Sequence, residues 1–211
     1  MNVFKAIMFG LLCSGVGYGV DDQYGDQHNR LVLCVKSQST RNLTIERVMR
    51  IAATQCGLDK SILRMTQSLV DLAPPSCQNP SSDEPGIEEL ADDRRYGLSD
   101  QHLRWLTTME GILQNNRPSD AIKKLEQLQK QAKRSLNMDD VHEAAVFMGL
   151  DIALHSARLW TRGPIQLPFL AKWGQVVLGD AVGGVVGGIF GGGVGAVGLG
   201  TACSTLIAEK T

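Results

Sequence analysis

The chain has 211 residues, enough for one or two small domains, and its 21 basic and 22 acidic side chains give a formal net charge of −1. This balance excludes the basic footprint of nucleic-acid binding, so we predict no nucleic-acid partner. Thirteen of the 23 glycines follow Arg162, so composition divides the chain into a mixed body and a glycine-rich tail.

The amino terminus has the pattern of a secretory signal peptide. Lys5 precedes an apolar run, and the small residue Gly19 lies at a position suited to cleavage. We therefore predict that residues 1–19 are removed and that the mature protein is secreted or held in the cell envelope. A short buried helix is the alternative for this stretch.

Four cysteines remain after removal of the signal peptide: Cys34, Cys56, Cys77 and Cys203. An even number in an exported chain favours disulfides, and three pairings are open. Free buried thiols are the alternative. Their spacing contains no CxxC pair and no paired histidines, so we predict neither a metal nor a cofactor.

The body is predicted to be mainly α, with about five helices in all. An N-terminal helical segment over residues 20–72 contains predicted helices at 44–56 and 59–72. The apolar run at 31–35 fits either a short strand or the opening of a helix.

An acidic, proline-rich stretch over residues 73–98 is predicted to be a solvated linker. The helical body resumes over residues 99–162. Ser99 is a candidate N-cap, Pro118 lies in the first turn of the next helix, and a third helix is predicted from Asp139.

No motif in the chain argues for catalysis, and we predict that the protein is not an enzyme. His142 and Glu143 begin like a zinc-protease motif, but Val146 stands where its second histidine belongs. Asp151 and His155, four residues apart, are expected to form an exposed hydrogen-bonded pair.

The tail has no charged residue from Ala181 to Ala208, and its glycines repeat every four residues. The first row is Gly179, Gly183, Gly187, Gly191 and Gly195, and the second is Gly184, Gly188, Gly192, Ala196 and Gly200. Residues four apart share a helix face, so the rows form grooves that let another helix approach closely, as in membrane helix packing. This pattern is a glycine zipper.

Two geometries fit this zipper. One helix over the uncharged run would be about 42 Å long, enough to cross a hydrocarbon core of roughly 30 Å. The three glycines at 191–193 are a natural hinge, however, so a buried or membrane-inserted helical hairpin competes with a single tilted span.

The body meets the tail at Arg162-Gly163-Pro164, where an Arg-specific protease could cut after Arg162 and release residues 163–211. This tail resembles the small, unmodified glycine-zipper bacteriocins, which are made as inactive precursors, freed by proteolysis, and insert into target membranes. The resemblance covers the last quarter of the chain. It implies three partners: membrane lipid, a processing protease, and further copies of the tail that associate through the zipper.

These expectations define two main hypotheses of function, and an exported enzyme without a recognisable motif is a third alternative. In the first, the body shields a latent membrane-permeabilising, antibacterial peptide until cleavage near Arg162. In the second, the chain is an envelope structural or binding protein and the tail is its permanent anchor.

Overall fold

A computed structural model describes residues 23–38, 42–80, 85–162 and 173–210, and within these ranges the chain is helical and contains no β-strand. The longer helices are α1 (Tyr24–Gln38), α2 (Ile45–Gln55), α3 (Ile62–Leu72), α6 (Asp100–Asn115), α7 (Pro118–Ser135), α8 (Val141–Arg162) and α9 (Trp173–Lys210). Two short helices, α4 (Pro75–Gln78) and α5 (Glu88–Asp92), and a 3₁₀ turn (Arg94–Tyr96) lie between α3 and α6. The mainly α fold predicted from the sequence is confirmed.

Local signals account for several helix ends. The Thr44 side chain accepts from the Arg47 N–H at 3.2 Å and begins α2. The Ser99 side chain accepts from the His102 N–H at the start of α6, and the Ser99 N–H donates to the His102 Nδ1 at 3.1 Å. The two bonds form a capping box. The run at 31–35 is interior to α1, which settles the choice between strand and helix.

The tail is an antiparallel helical hairpin. Its helix reverses at Gly192, whose φ of 58° and ψ of −154° are non-helical. A positive φ at this point requires glycine, since a Cβ would be strained there. The reversal defines a first arm (residues 173–191) and a second arm (residues 193–210). Of the two geometries expected from the sequence, the folded chain adopts the hairpin.

The hairpin lies at the centre of the fold. It packs most extensively against α8 and also contacts α1, α2, α3, α4 and α6. Valines of both arms, such as Val182, Val186 and Val197, are 0% exposed. Helix α7 forms an outer layer that covers α8 and α6. The amphipathic helices of the body therefore enclose the tail, and we call them the shell.

The stretch 73–98 differs from the solvated linker that was predicted. Its described residues form α4, α5 and the 3₁₀ turn, and they bury Ile87, Leu90 and Tyr96. The Tyr96 hydroxyl donates to the Leu72 carbonyl at 3.0 Å. Apolar residues lie between the acidic ones and pack into the core. The stretch is therefore partly buried despite its high acidic content.

Two disulfides select one of the three open pairings. Cys34 of α1 is bonded to Cys56, the residue that follows α2. Cys77 of α4 is bonded to Cys203 in the second arm, across a sequence separation of 126 residues. The first disulfide joins two parts of the shell, whereas the second joins the shell to the hairpin.

The predicted cleavage positions lie at the edges of what is described. Gly19, with the rest of the signal peptide, and Gly163 lie outside the described residues. Arg162 is the last residue of α8.

Candidate functional site

The first glycine row forms the interface between the two arms. A Cβ built at Gly187 would lie 2.1 Å from the Gly195 carbonyl oxygen, and one at Gly195 would lie 2.2 Å from the Gly187 oxygen. At Gly183 the nearest atoms would be the Cys203 Sγ at 2.6 Å and the Leu199 carbonyl oxygen at 3.0 Å. The arms therefore meet backbone to backbone, with no room for a side chain at these positions.

The second row faces a different partner. A Cβ at Gly188 would lie 3.0 Å from the Ala145 Cβ, and one at Gly184 would lie 3.5 Å from the Gly149 Cα. Both partners belong to α8. The first arm thus uses one glycine row against the second arm and the other row against the body.

Helix α8 also carries a row of small residues, which the sequence analysis missed. They are Ala145, Gly149, Ala153 and Ala157, all buried and four residues apart. The same spacing rule that identified the zipper would have identified this stripe, but alanine is common in helices and the stripe contains only one glycine. The small-xxx-small pattern therefore extends across three helical segments.

The predicted rows do not keep to one face through the hinge. Gly191 faces α3, where its Cβ would lie 3.6 Å from the Met65 Cε, and Gly192 makes the reversal. Gly200 lies on the second arm near the Asp180 carbonyl oxygen and the His28 ring. Gly179 meets the Ile207 side chain. The predicted zipper glycines therefore divide among several interfaces and the hinge.

The tip of the hairpin is apolar and only half-buried. Ile189, Phe190 and Val194 are partly exposed around the hinge. Phe190 makes an edge contact with Tyr96, with ring centroids 6.3 Å apart. Glu209, at the opposite end, is exposed. The hairpin thus has an apolar tip near the surface and a charged residue at its base.

A polar layer crosses the hairpin at its middle and is centred on Asp180, which is 0% exposed. The Ser156 hydroxyl of α8 donates to its carboxyl group. The Ser204 hydroxyl and the Trp160 indole N–H also face this carboxyl, although neither meets hydrogen-bond geometry. In this folded state, burial raises the pKa of Asp180 to about 8. The protein therefore holds a neutral carboxylic acid there at neutral pH.

His28 of α1 approaches the same carboxyl from the other side, with its Nε2 3.9 Å from the Asp180 Oδ2. Its Nδ1 lies 3.1 Å from the Asn29 side-chain oxygen, and Asn29 donates to the His155 carbonyl at 2.8 Å. Burial lowers the pKa of His28 to about 4. A neutral imidazole and a neutral carboxylic acid together avoid the cost of isolated buried charges.

Lys36 of α1 adds a cation to this layer. Its Nζ lies 4.9 Å from the centre of the Trp160 ring, a cation–π contact. Burial lowers the pKa of Lys36. The layer therefore contains groups from α1, α8 and both arms, and it fixes their mutual register.

The Asp151 and His155 side chains lie close together, with the His155 Nε2 3.7 Å from the Asp151 Oδ1, but they are not the exposed pair that was predicted. Asp151 is 0% exposed and accepts from the Gly25 N–H at 2.7 Å and from the Gln129 amide at 2.6 Å. The His155 Nδ1 lies 2.8 Å from an Asp26 carboxylate oxygen. Packing of α1 on this face of α8, which a helical spacing alone does not reveal, buries Asp151, leaves His155 partly buried and makes both residues anchors for α1.

The described residues contain no group of three or more His, Cys, Asp or Glu side chains placed to hold a metal ion. By length and composition, the segment Trp173–Glu209 is apolar enough to cross a membrane, with a mean hydropathy of 1.7 in its best window. This length and composition fit a membrane-crossing segment and also the buried helical hairpin of this fold.

Comparison with known proteins identified no relative of this chain. No protein-family model, no curated protein and no solved structure matches this chain. The resemblance of the tail to glycine-zipper bacteriocins therefore remains a prediction.

Proposed function

We propose that this chain is an exported precursor that stores a membrane-permeabilising, antibacterial glycine-zipper hairpin inside a helical shell and releases it after cleavage near Arg162. The enclosure of the hairpin is the observation that carries this proposal. Its inter-arm groove is filled by its own second arm, and its outer groove is filled by α8. A surface whose apolar partners lie within the fold is withheld from lipid, which is what an inactive precursor requires.

The dimensions of the arms support membrane insertion. At 1.5 Å per residue, arms over residues 173–191 and 193–210 are about 28 and 27 Å long. A hydrocarbon core is roughly 30 Å thick. Two such arms suit a hairpin that inserts with its hinge near the far side of the bilayer.

The distribution of charge supports insertion tip first. The apolar tip at Phe190 enters a bilayer without carrying a charge, while Glu209 and Lys210 stay at the near surface. Trp173, at the start of the first arm, suits the membrane–water interface. Asp180 enters as the neutral acid, because the charged form is costly in hydrocarbon.

Release from α8 would also permit self-association. The groove at Gly184 and Gly188 loses its partner once α8 is removed. A second hairpin offers the same shape to that groove, and close helix packing in lipid favours small residues at the interface. Association of several hairpins then gives a permeable assembly.

The same enclosure counts against a permanent anchor. An anchoring tail needs its apolar faces in contact with lipid, but here residues such as Val176, Val185 and Leu199 are fully buried by protein. Anchorage would require the shell to open and stay open, so storage is the better account.

Two measurements test the proposal. The first is intact-mass analysis of the protein secreted by its native host, where a species beginning at Gly163 is expected. The second is dye release from lipid vesicles by a synthetic peptide of residues 163–211 compared with the intact protein. The peptide is expected to release dye and the intact protein to leave the vesicles sealed.

A matched pair of peptides separates zipper packing from general hydrophobicity. Gly184→Leu with Gly188→Leu fills the groove and is expected to lower dye release about tenfold, the equivalent of one lost helix contact. Val182→Leu with Val186→Leu adds apolar volume outside the groove and is expected to keep the activity. A full-length secreted species alone, together with an inactive peptide, would contradict the proposal.

A further inference from the structure

The stored hairpin is held by a second covalent closure besides the peptide chain. Cys77 lies before the predicted cleavage position at Arg162 and Cys203 lies after it, and the two are joined by a disulfide. A single cut near Arg162 therefore leaves two chains that are still covalently linked. Cleavage alone does not free the tail.

We propose that the Cys77–Cys203 disulfide is a redox modification site whose reduction by a dithiol is required, together with cleavage, to free the hairpin. This inference rests on the proposed function. The class of molecule that would react with the Cys77–Cys203 bond is a dithiol reductant. Release of the hairpin then requires two separate chemical events, cleavage near Arg162 and reduction of this disulfide.

The position of the disulfide suits this role. Cys203 lies on the second arm, and its Sγ would be 2.6 Å from a Cβ at Gly183 on the first arm, so the bond sits against both arms. Cys77 belongs to α4, which is tied to the shell by the Ser76 N–H donating to Glu89 at 2.8 Å. The disulfide thus connects the hairpin to a fixed part of the shell.

The other disulfide lacks this position. Cys34 and Cys56 both precede Arg162, so their bond joins parts of the same fragment. These two residues are partly exposed, whereas Cys77 and Cys203 are each 0% exposed. Exposure governs access of a reductant, so the closure on the hairpin resists reduction while the fold is intact.

The exchange is a two-electron reduction of the protein disulfide. One thiolate of the dithiol attacks a disulfide sulfur, the protein S–S bond breaks, and a mixed disulfide forms as one cysteine leaves as a thiolate. The second thiolate of the dithiol then displaces the other cysteine and forms the reductant's own disulfide. The two cysteine thiolates take up the two protons that the dithiol has lost.

The test uses the full chain with a site-specific protease sequence inserted between Arg162 and Gly163, so that only this junction is cut. Four samples are compared on dye-loaded vesicles: uncut oxidised, cut oxidised, uncut reduced with dithiothreitol, and cut reduced. Dye release is expected from the cut reduced sample. The cut oxidised sample is expected to be slower by about 100-fold, because the tethered shell stays at high local concentration and recaptures the hairpin.

Two double variants serve as matched probes. Cys77→Ser with Cys203→Ser is expected to release dye after cleavage without a reductant. Cys34→Ser with Cys56→Ser removes a disulfide of the shell and is expected to need the reductant as the parent does. Non-reducing mass analysis of the cut parent is expected to show one linked species.

Each contrary outcome has its own meaning. Equal dye release by cut oxidised and cut reduced protein would overturn the disulfide requirement and leave the proposed function standing, as would separate fragments before reduction. Dye release by uncut reduced protein would overturn the need for both events. An inactive cut sample in which mass analysis shows that the Cys77–Cys203 bond is reduced would remove the proposed function and this inference together. The parent samples decide each case even where a variant does not fold.

Discussion

Helix α7 and the hairpin are both packed helical elements, but opposite features of the sequence hold them in place. Helix α7 buries large apolar side chains such as Ile122 and Leu125 and exposes Lys123 and Lys124. Outside the polar layer around Asp180 and Ser204, the arms of the hairpin are mostly apolar, and the missing side chains at Gly187 and Gly195 decide which faces meet. The buried face of α7 is therefore determined by its large apolar side chains, whereas the contacting faces of the hairpin are determined by the absence of side chains at its glycines.

The difference predicts opposite responses to substitution. In α7, removing atoms from a buried side chain leaves a cavity, with a cost that depends on the volume lost. In the hairpin, adding one carbon forces two backbones apart, and backbone atoms have little freedom to yield. The hairpin should therefore tolerate loss of volume better than gain.

The largest loss of stability is expected from removing the disulfide that joins the hairpin to the shell, and a smaller loss from removing the disulfide within the shell. Closure of a loop of 126 residues by Cys77–Cys203 stabilises the fold by about 5 kcal/mol in the chain-entropy description. The 22-residue loop of Cys34–Cys56 gives about 3 kcal/mol. Denaturant unfolding of the two Cys→Ser double variants measures both. A larger loss for the shell pair would show that the hairpin does not depend on its covalent tether.

The next effect compares two glycines. Gly187→Ala is expected to cost about 4 kcal/mol, because its Cβ would lie 2.1 Å from a backbone oxygen. A Cβ added at Gly111, in α6, would have no other atom within 4 Å. Gly111→Ala is therefore expected to stabilise the protein by about 0.5–1 kcal/mol. Thermal unfolding of the two variants should shift in opposite directions. Equal shifts would mean that the arms are not in backbone contact.

The contrast also explains what could be predicted from the sequence. The shell helices were found from apolar spacing and from local signals such as the Ser99 cap, because these signals act within a few residues. The zipper and its hinge were found from glycine spacing. The choice between hairpin and single span was left open, since it depends on how well α8 and the shell fill the grooves, and that partnership is not local.

The polar layer was the part least accessible to sequence reasoning. Asp180 and His28 are 152 positions apart, and neither belongs to a motif. Only the packing of α1 on the hairpin brings them together. The burial of Asp151 was missed for the same reason, because a spacing of four residues describes one helix and says nothing about the helix that covers it.

The interface between α8 and the first arm can be tested at Gly149, where the two helices are in close contact. Gly149→Ala places a Cβ 2.5 Å from the Val185 Cγ2 and 3.0 Å from the Ala181 carbonyl oxygen, and is expected to cost about 2–3 kcal/mol. Adding Val185→Ala removes the closest atom. A double-mutant cycle should then show a favourable coupling of about 1 kcal/mol between the two substitutions. Strict additivity would contradict the contact.

The smallest expected effect is on the pH dependence of stability, through Asp180 and His28. Because the pKa of Asp180 is about 8 in the folded state against 3.8 as a free side chain, its contribution is full below pH 3.8 and decreases as the pH rises towards 8. The pKa of His28 is lowered from 6.5 to about 4, so its contribution is full above pH 6.5 and decreases as the pH falls towards 4. The two contributions oppose each other between pH 4 and 6.5.

Above pH 6.5 only Asp180 still titrates within this pair, so stability is expected to fall by about 2 kcal/mol between pH 6.5 and 8. Asp180→Asn should remove this fall and leave His28 unopposed, so that the variant loses stability on acidification instead. Glu46→Gln, at an exposed site on α2, should behave as the parent. Chemical unfolding from pH 5 to 8 measures all three proteins. An unchanged profile in Asp180→Asn would mean that the carboxyl group is solvated, and the hairpin would then be less completely enclosed than α8 and α1 make it.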